Sequence, residues 1–200
     1  MPRTARCIPA DSIVHVVNRG NDRRLLFGEP QDYEEFVGMI DATLGRRPVR
    51  LLAFGLMPNH WHLLLWPEVD AQVSQFLHYL TSLHAARIRS ASGTRGHGHV
   101  YQARYRATLV SRDVHYVRAV RYIEANPLRA RLVDRAEHWP WTSLPERLST
   151  SCRIVDGPLP LPPPGEWATY VNLGSEDGWK SGPAKNGDSP PHIFGAGSMR

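Results

Sequence analysis

The chain has 200 residues, enough for one domain with a substantial hydrophobic core and too short for two large ones. Its net charge is +5, and its two cysteines, Cys7 and Cys152, lie far apart without a CxxC spacing, which argues against a disulfide framework and for a reduced, cytoplasmic protein. No apolar stretch follows the N-terminus and the longest apolar runs, 51–58 and 63–67, are far shorter than a membrane span, so neither export nor membrane anchoring is expected.

Residues 13–17 are short and β-branched and run into Asn18-Arg19-Gly20-Asn21, which predicts a strand ending in a turn. Over 31–44, Tyr33, Phe36, Val37, Ile40 and Leu44 recur at helical spacing, with Gly45 as the stop. Two apolar runs, 51–57 and 61–66, flank Pro58-Asn59-His60 and read as tightly joined neighbouring strands. A long amphipathic helix fits 71–90, with Val73, Phe76, Leu77, Leu80, Leu83 and Ile88 on its buried side. Residues 91–99 are small and loop-like, and 107–110 can form a fourth strand. From Asp113 a further helix runs through Val117, Val120, Arg121 and Ile123, and Pro127 is expected to end it. The order strand, helix, strand, strand, helix, strand predicts an α+β fold: a ferredoxin-like antiparallel sheet with helices packed on it.

Composition changes after about residue 149. Residues 159–165 are Pro-rich, 167–173 read as a short docked segment, and 174–200 are Gly, Ser and Pro with scattered charge. The expected organisation is a domain over 1–148, a partly docked Pro-rich extension over 149–173 and a disordered tail over 174–200.

The charge is unevenly spread. Residues 1–86 carry 8 basic and 9 acidic side chains, residues 87–135 carry 11 and 3, and residues 136–200 carry 5 and 7. All 11 basic residues of the central block are arginine, the better fork for phosphates and base edges, which points to nucleic acid; a genome-wide preference for Arg over Lys on a solvated face accounts for the same pattern.

Two patterns carry chemistry. His60-Trp61-His62 opens a predicted strand, where the period of two puts both imidazoles on one face and Trp61 on the other. Such a pair makes two corners of a divalent-metal site, or is a pair of strand histidines with ordinary hydrogen bonds. Tyr122 and Asn126 stand four apart, so a helix presents them on one side. A phenol beside a metal-bound phosphate serves as a nucleophile, with the Asn126 amide oxygen as a third ligand; alternatively, this is a half-buried tyrosine and an asparagine stopping a helix before proline. Trp139-Pro140-Trp141 is a base-stacking surface or, in the preferred reading, a hydrophobic latch. His15, on the first strand, either faces the metal site or is an ordinary strand histidine.

Three blocks, 17–21 (Val-Asn-Arg-Gly-Asn), 53–64 (Ala-Phe-Gly-Leu-Met-Pro-Asn-His-Trp-His-Leu-Leu) and 122–130 (Tyr-Ile-Glu-Ala-Asn-Pro-Leu-Arg-Ala), taken in this order resemble the single-tyrosine HUH transposases, most closely the REP-associated tyrosine transposases. The resemblance covers roughly 10–145. It implies an HUH endonuclease domain that binds single-stranded DNA hairpins resembling repetitive extragenic palindromes and cuts beside them. His60 and His62 are then the metal ligands, Asn126 the third, Tyr122 the nucleophile, and Mg²⁺ or Mn²⁺ the ion.

Arg19, Asn21, Arg104, Arg106, Arg118, Arg121 and Arg129 are the candidate DNA contacts, with Arg23, Arg24, Arg87, Arg89 and Arg131 as further candidates. No small-molecule cofactor is expected, and the protein is read as a monomer or homodimer. Relatives often carry an Arg-rich C-terminal segment that 174–200 does not match, which puts control by the tail in doubt. Competing readings are a relaxase-like nickase, a hairpin-binding protein that no longer cuts, and a metal-dependent hydrolase.

Overall fold

The computed structural model describes residues 8–91, 98–112, 114–149, 161 and 163–173. The expected tail over 174–200 and most of the expected loop over 91–99 lie outside them. No described helix is long and apolar enough to cross a membrane.

Four strands form one antiparallel sheet: β1 (Ile13–Arg19), β2 (Arg50–Met57), β3 (His60–Trp66) and β4 (Arg106–Val110), in the order β2-β3-β1-β4. β1 has β-branched residues at four of its seven positions and pairs on both sides, so it is central. β2 and β3 are a hairpin turned by Pro58-Asn59.

The period of two divides the sheet into two faces. Val14, Val16, Phe54, Leu56, Trp61, Leu63 and Leu65 belong to a core covered by α1 (Pro30–Arg46) and α2 (Gln72–Ala91). α1 starts where Pro30 fits the first turn, and the Asp32 carboxylate accepts from the backbone N–H groups of Gly28 and Glu29 at 2.8 and 3.1 Å. Ile13, Ala53, Leu64 and Val110 face the opposite way, into a second core closed by α3 (Val114–Glu124), α5 (Ser143–Leu148) and α6 (Pro164–Asn172). A bulge between Leu51 and Ala53 interrupts the alternation, so that the adjacent Leu52 and Ala53 both enter the second core while Leu51 and Phe54 enter the first. The predicted ferredoxin-like α+β sheet is therefore the observed one.

Pro127 does not end the helix that carries Tyr122 in the expected way. α3 stops at Glu124, and Pro127 sits in the first turn of the next helix, α4 (Asn126–Arg129). The two stay nearly continuous because Ala125 keeps helical backbone angles, its N–H donates to Arg121 O and its carbonyl accepts from Arg129 N–H; Pro127 has no N–H to give.

Trp139 and Trp141 form the latch. Trp141 stacks on Tyr33 with centroids 5.2 Å apart, Trp139 meets the same ring edge-on at 5.8 Å, and Trp139 Nε1 donates to Leu56 O at 2.9 Å. The following residues cover the β2 edge through Leu56 N–H to Trp141 O.

Candidate active site

β3 brings His60 and His62 to the face covered by α3, with Trp61 buried on the other. Val17 stands opposite His62, Arg19 opposite His60 and His15 opposite Leu64, so His15, Val17 and Arg19 share that face. The hairpin turn is fixed by its neighbours: Pro58 O accepts from the N–H groups of Leu26 and Phe27, and Asn59 O from that of Gly20. Gly20 is required there, because a Cβ would stand 2.3 Å from the Arg24 carbonyl oxygen.

α3 lays Tyr122, and the start of α4 lays Asn126, over the histidines. Gly55 faces His62 from β2, and a Cβ on it would stand 3.0 Å from Ile123 O; the bare backbone permits this close approach of helix to sheet. The Asn126 Nδ2 atom lies 3.1 Å from His62 Nε2, across 64 positions of sequence. The rings of His60 and His62 meet edge-to-face at 4.9 Å, and Tyr122 stands edge-on to His62 and His15 at 5.8 and 6.0 Å.

Each histidine is held through Nδ1. His60 Nδ1 donates to Asn59 Oδ1 at 2.7 Å, which leaves Nε2 as the lone-pair nitrogen. His62 Nδ1 is 3.0 Å from His15 Nε2, and Nε2 faces Asn126. Burial holds the His62 ring well below the ordinary histidine range, reinforced by His60, His15 and Arg19, so it is a neutral imidazole. Burial also pushes His15 down to about 4.

This donor set fits a divalent cation. Neighbouring ligands on an octahedral ion with bonds of about 2.1 Å lie roughly 3 Å apart, the separation found between His62 Nε2 and the Asn126 carboxamide, whose oxygen takes the nitrogen's place when the amide is turned. Among the described residues no three His, Cys, Asp or Glu side chains are grouped to hold a metal. Two imidazoles and one amide make a neutral, open site.

The helix that carries Tyr122 is anchored by a group with no signal in the sequence pattern. Glu124, fully buried, accepts from Ser143 Oγ at 2.6 Å, Arg147 Nε at 3.0 Å and Trp167 Nε1 at 2.7 Å, tying α3 to α5 and α6. Arg147 also donates to Leu52 O at 2.7 Å.

The arginines separate into two groups. Arg129 is exposed and its guanidinium lies 5.1 Å from the Tyr122 ring centroid. Arg106, exposed on β4, lies in one row across the sheet with Val17 and His62. Arg118 is half-buried one turn before Tyr122, Arg104 is exposed ahead of β4, and Asn21 is half-buried beside Arg19 at the end of β1.

Arg121 corrects the expectation of a DNA contact: it is 3 % exposed, its guanidinium lies 4.2 Å from the Tyr170 ring and it donates to Leu173 O, so its charge is engaged inside the fold. Arg87 is similarly engaged in a two-point bond to Glu35, at 2.6 and 2.9 Å, between α2 and α1.

The fold and site define a class of protein: an α+β chain with a histidine pair on its sheet and a tyrosine on a helix crossing that face. The family model described as "Transposase IS200 like" matches residues 10–126, and the chain belongs to that family. The matched span runs from the first strand to Asn126 and includes both histidines and Tyr122. Among solved structures, a REP-associated tyrosine transposase bound to a REP hairpin is similar over 79% of this chain and 93% of its own, with 21% identity and a TM-score of 0.60, a likeness of fold. A Deinococcus radiodurans protein described as a transposase matches 61% of this chain and 95% of its own, with 19% identity and a TM-score of 0.41. No curated protein matches the chain.

Proposed function

We propose that this transposase cleaves and rejoins single-stranded DNA beside hairpins of the repetitive-palindrome kind, through a covalent link between Tyr122 and a 5′ phosphate. The observation that carries this reading is Tyr122 standing edge-on to His62 while Asn126, one turn on, reaches the same imidazole. One chain carries the whole set, which is in keeping with a monomer, and a homodimer is the alternative assembly.

His60 Nε2, His62 Nε2 and the Asn126 amide oxygen would hold Mg²⁺ or Mn²⁺, which would supply Lewis-acid polarisation of the scissile phosphate. The Tyr122 hydroxyl oxygen attacks phosphorus as its proton is lost, the bond from phosphorus to the 3′ oxygen breaks, and that oxygen leaves as a 3′ hydroxyl. Attack by a 3′ hydroxyl on the tyrosyl phosphate reverses the step, so rejoining needs no nucleotide triphosphate. Arg129 beside the phenol and Arg19 and Arg106 on the sheet face are read as phosphate contacts, with Asn21, Arg104 and Arg118 further out. A cytoplasmic location and the division into a catalytic domain over 1–148, an extension over 149–173 and a tail over 174–200 belong to the same reading.

The test is a 3′-labelled single-stranded hairpin from beside the gene, incubated with the protein and Mn²⁺ and run on a denaturing gel. Label shifted to protein mass, lost in Tyr122→Phe but with hairpin binding retained, supports the reading, and His60→Ala is expected to remove the metal-dependent activity. Cut DNA without an adduct favours a hydrolase. Binding without cutting favours a hairpin-binding protein.

A further inference from the structure

His15 and His62 are diagonal neighbours on adjacent strands, and their rings lie 13° from parallel with centroids 5.1 Å apart. His15 Nε2 is 3.0 Å from His62 Nδ1. Two neutral imidazoles sharing one hydrogen bond must divide the roles, one nitrogen carrying the proton and the other accepting it.

The surroundings decide the direction. His62 Nε2 faces the Asn126 carboxamide and can offer a lone pair there only if the ring's proton is on Nδ1. His15 Nε2 is the acceptor in reach of that proton. His15 must then carry its own proton on Nδ1, and that atom is buried with no hydrogen-bond partner. A histidine kept only for packing has no reason to strand a polar atom at the centre of β1, where leucine or valine fills space at no such cost. The stranded nitrogen follows from using the opposite nitrogen as an acceptor.

We propose that His15 is a positioning residue that accepts the His62 Nδ1 proton and so holds His62 in the tautomer and orientation that present Nε2 to the divalent ion. The proposal rests on the reading of His62 as a metal ligand. The burial of His15 supports it, because burial disfavours the charged ring, and only the neutral ring has an acceptor nitrogen. Its edge contact with Tyr122, 6.0 Å between centroids, places the same side chain under the nucleophile, so its loss also loosens the phenol. The two ligands thus have unlike supports: His60 leans on Asn59 in a turn, His62 on a central strand.

The test compares His15→Met with His15→Gln, two side chains of nearly the same shape, of which only Gln offers an oxygen near the position of Nε2. Free Mn²⁺ is titrated by electron paramagnetic resonance against the full chain, and the His62 tautomer in the metal-free protein is read from imidazole ¹⁵N resonances. Expected are His62 protonated on Nδ1 in the parent, Mn²⁺ affinity lowered about 10- to 100-fold by His15→Met, and recovery of most of it by His15→Gln.

Parent-like Mn²⁺ affinity in a folded His15→Met protein, or a parent His62 protonated on Nε2, overturns the proposal. Thermal unfolding establishes folding, and His15→Leu replaces His15→Met if that variant is unfolded. His62→Ala separates the two levels. If it binds Mn²⁺ as the parent does, the metal-site reading falls and the role of His15 with it; if it binds weakly while His15→Met does not, only the role of His15 falls.

Discussion

Glu124 offers the sharpest test of how Tyr122 is held. Its carboxylate is fully buried, its partner Arg147 is 15 % exposed at the side chain, and two further buried donors, Ser143 Oγ and Trp167 Nε1, depend on it. A buried ion pair is not stabilising in itself, because desolvation offsets the attraction, but removing one partner leaves the other charge uncompensated, at a cost of about 3–5 kcal/mol. Glu124→Ala is therefore expected to lower the melting temperature by roughly 6–20 °C for a domain of this size.

Glu124→Gln keeps the shape and part of the hydrogen bonding and should fall in between. Replacing both partners together, Glu124→Leu with Arg147→Met, should recover much of the loss because no charge is then stranded. The assay is thermal unfolding followed by circular dichroism. A drop under about 3 °C for Glu124→Ala, or a double variant as unstable as the single, refutes the reasoning. Well below its melting temperature, Glu124→Gln should cleave about ten- to a hundredfold more slowly at near-parent hairpin affinity, because the group holds α3 two residues from Tyr122.

Arg106→Ala is expected to weaken hairpin binding and reduce its salt dependence by about one counterion, whereas Arg121→Ala should lower thermal stability and leave the salt slope unchanged; equal slopes for both would contradict the placement of Arg121 inside the fold. Burial pushes His84 down to about 4, so the unfolded chain takes up its proton first as pH falls. The stabilisation, about 3 kcal/mol at most, is fully present above the unfolded value near 6.5 and is lost as pH falls towards 4. Urea unfolding between pH 7 and 4.5 should show that decline, and a shallower one in His84→Gln. Gly20→Ala forces a Cβ against Arg24 O, and should cost about 1–3 kcal/mol by urea unfolding.

The two-residue period of an extended strand determines which of its residues share a face, so the sequence alone pairs His60 with His62 and sets Trp61 apart. Helical spacing did the same for Tyr122 and Asn126, and it carried through the Pro127 interruption because Ala125 stays in the helical region. Periodicity is local, and so these statements survive in one dimension.

What periodicity lacks is a partner. That Asn126 meets His62 across 64 positions depends on the sheet order and on how closely α3 docks at Gly55. The same gap hid Glu124, whose donors arrive from α5 and α6, and left His15 undecided until the β1–β3 register set it beside His62. Charge shows the limit most plainly: Arg121 and Arg129 belong to one basic block, yet one is sealed against Tyr170 and the other lies over Tyr122. Composition counts charges; only the packing of α6 against α3 determines which of them faces solvent, because burial is a property of contacts between segments and not of any segment alone.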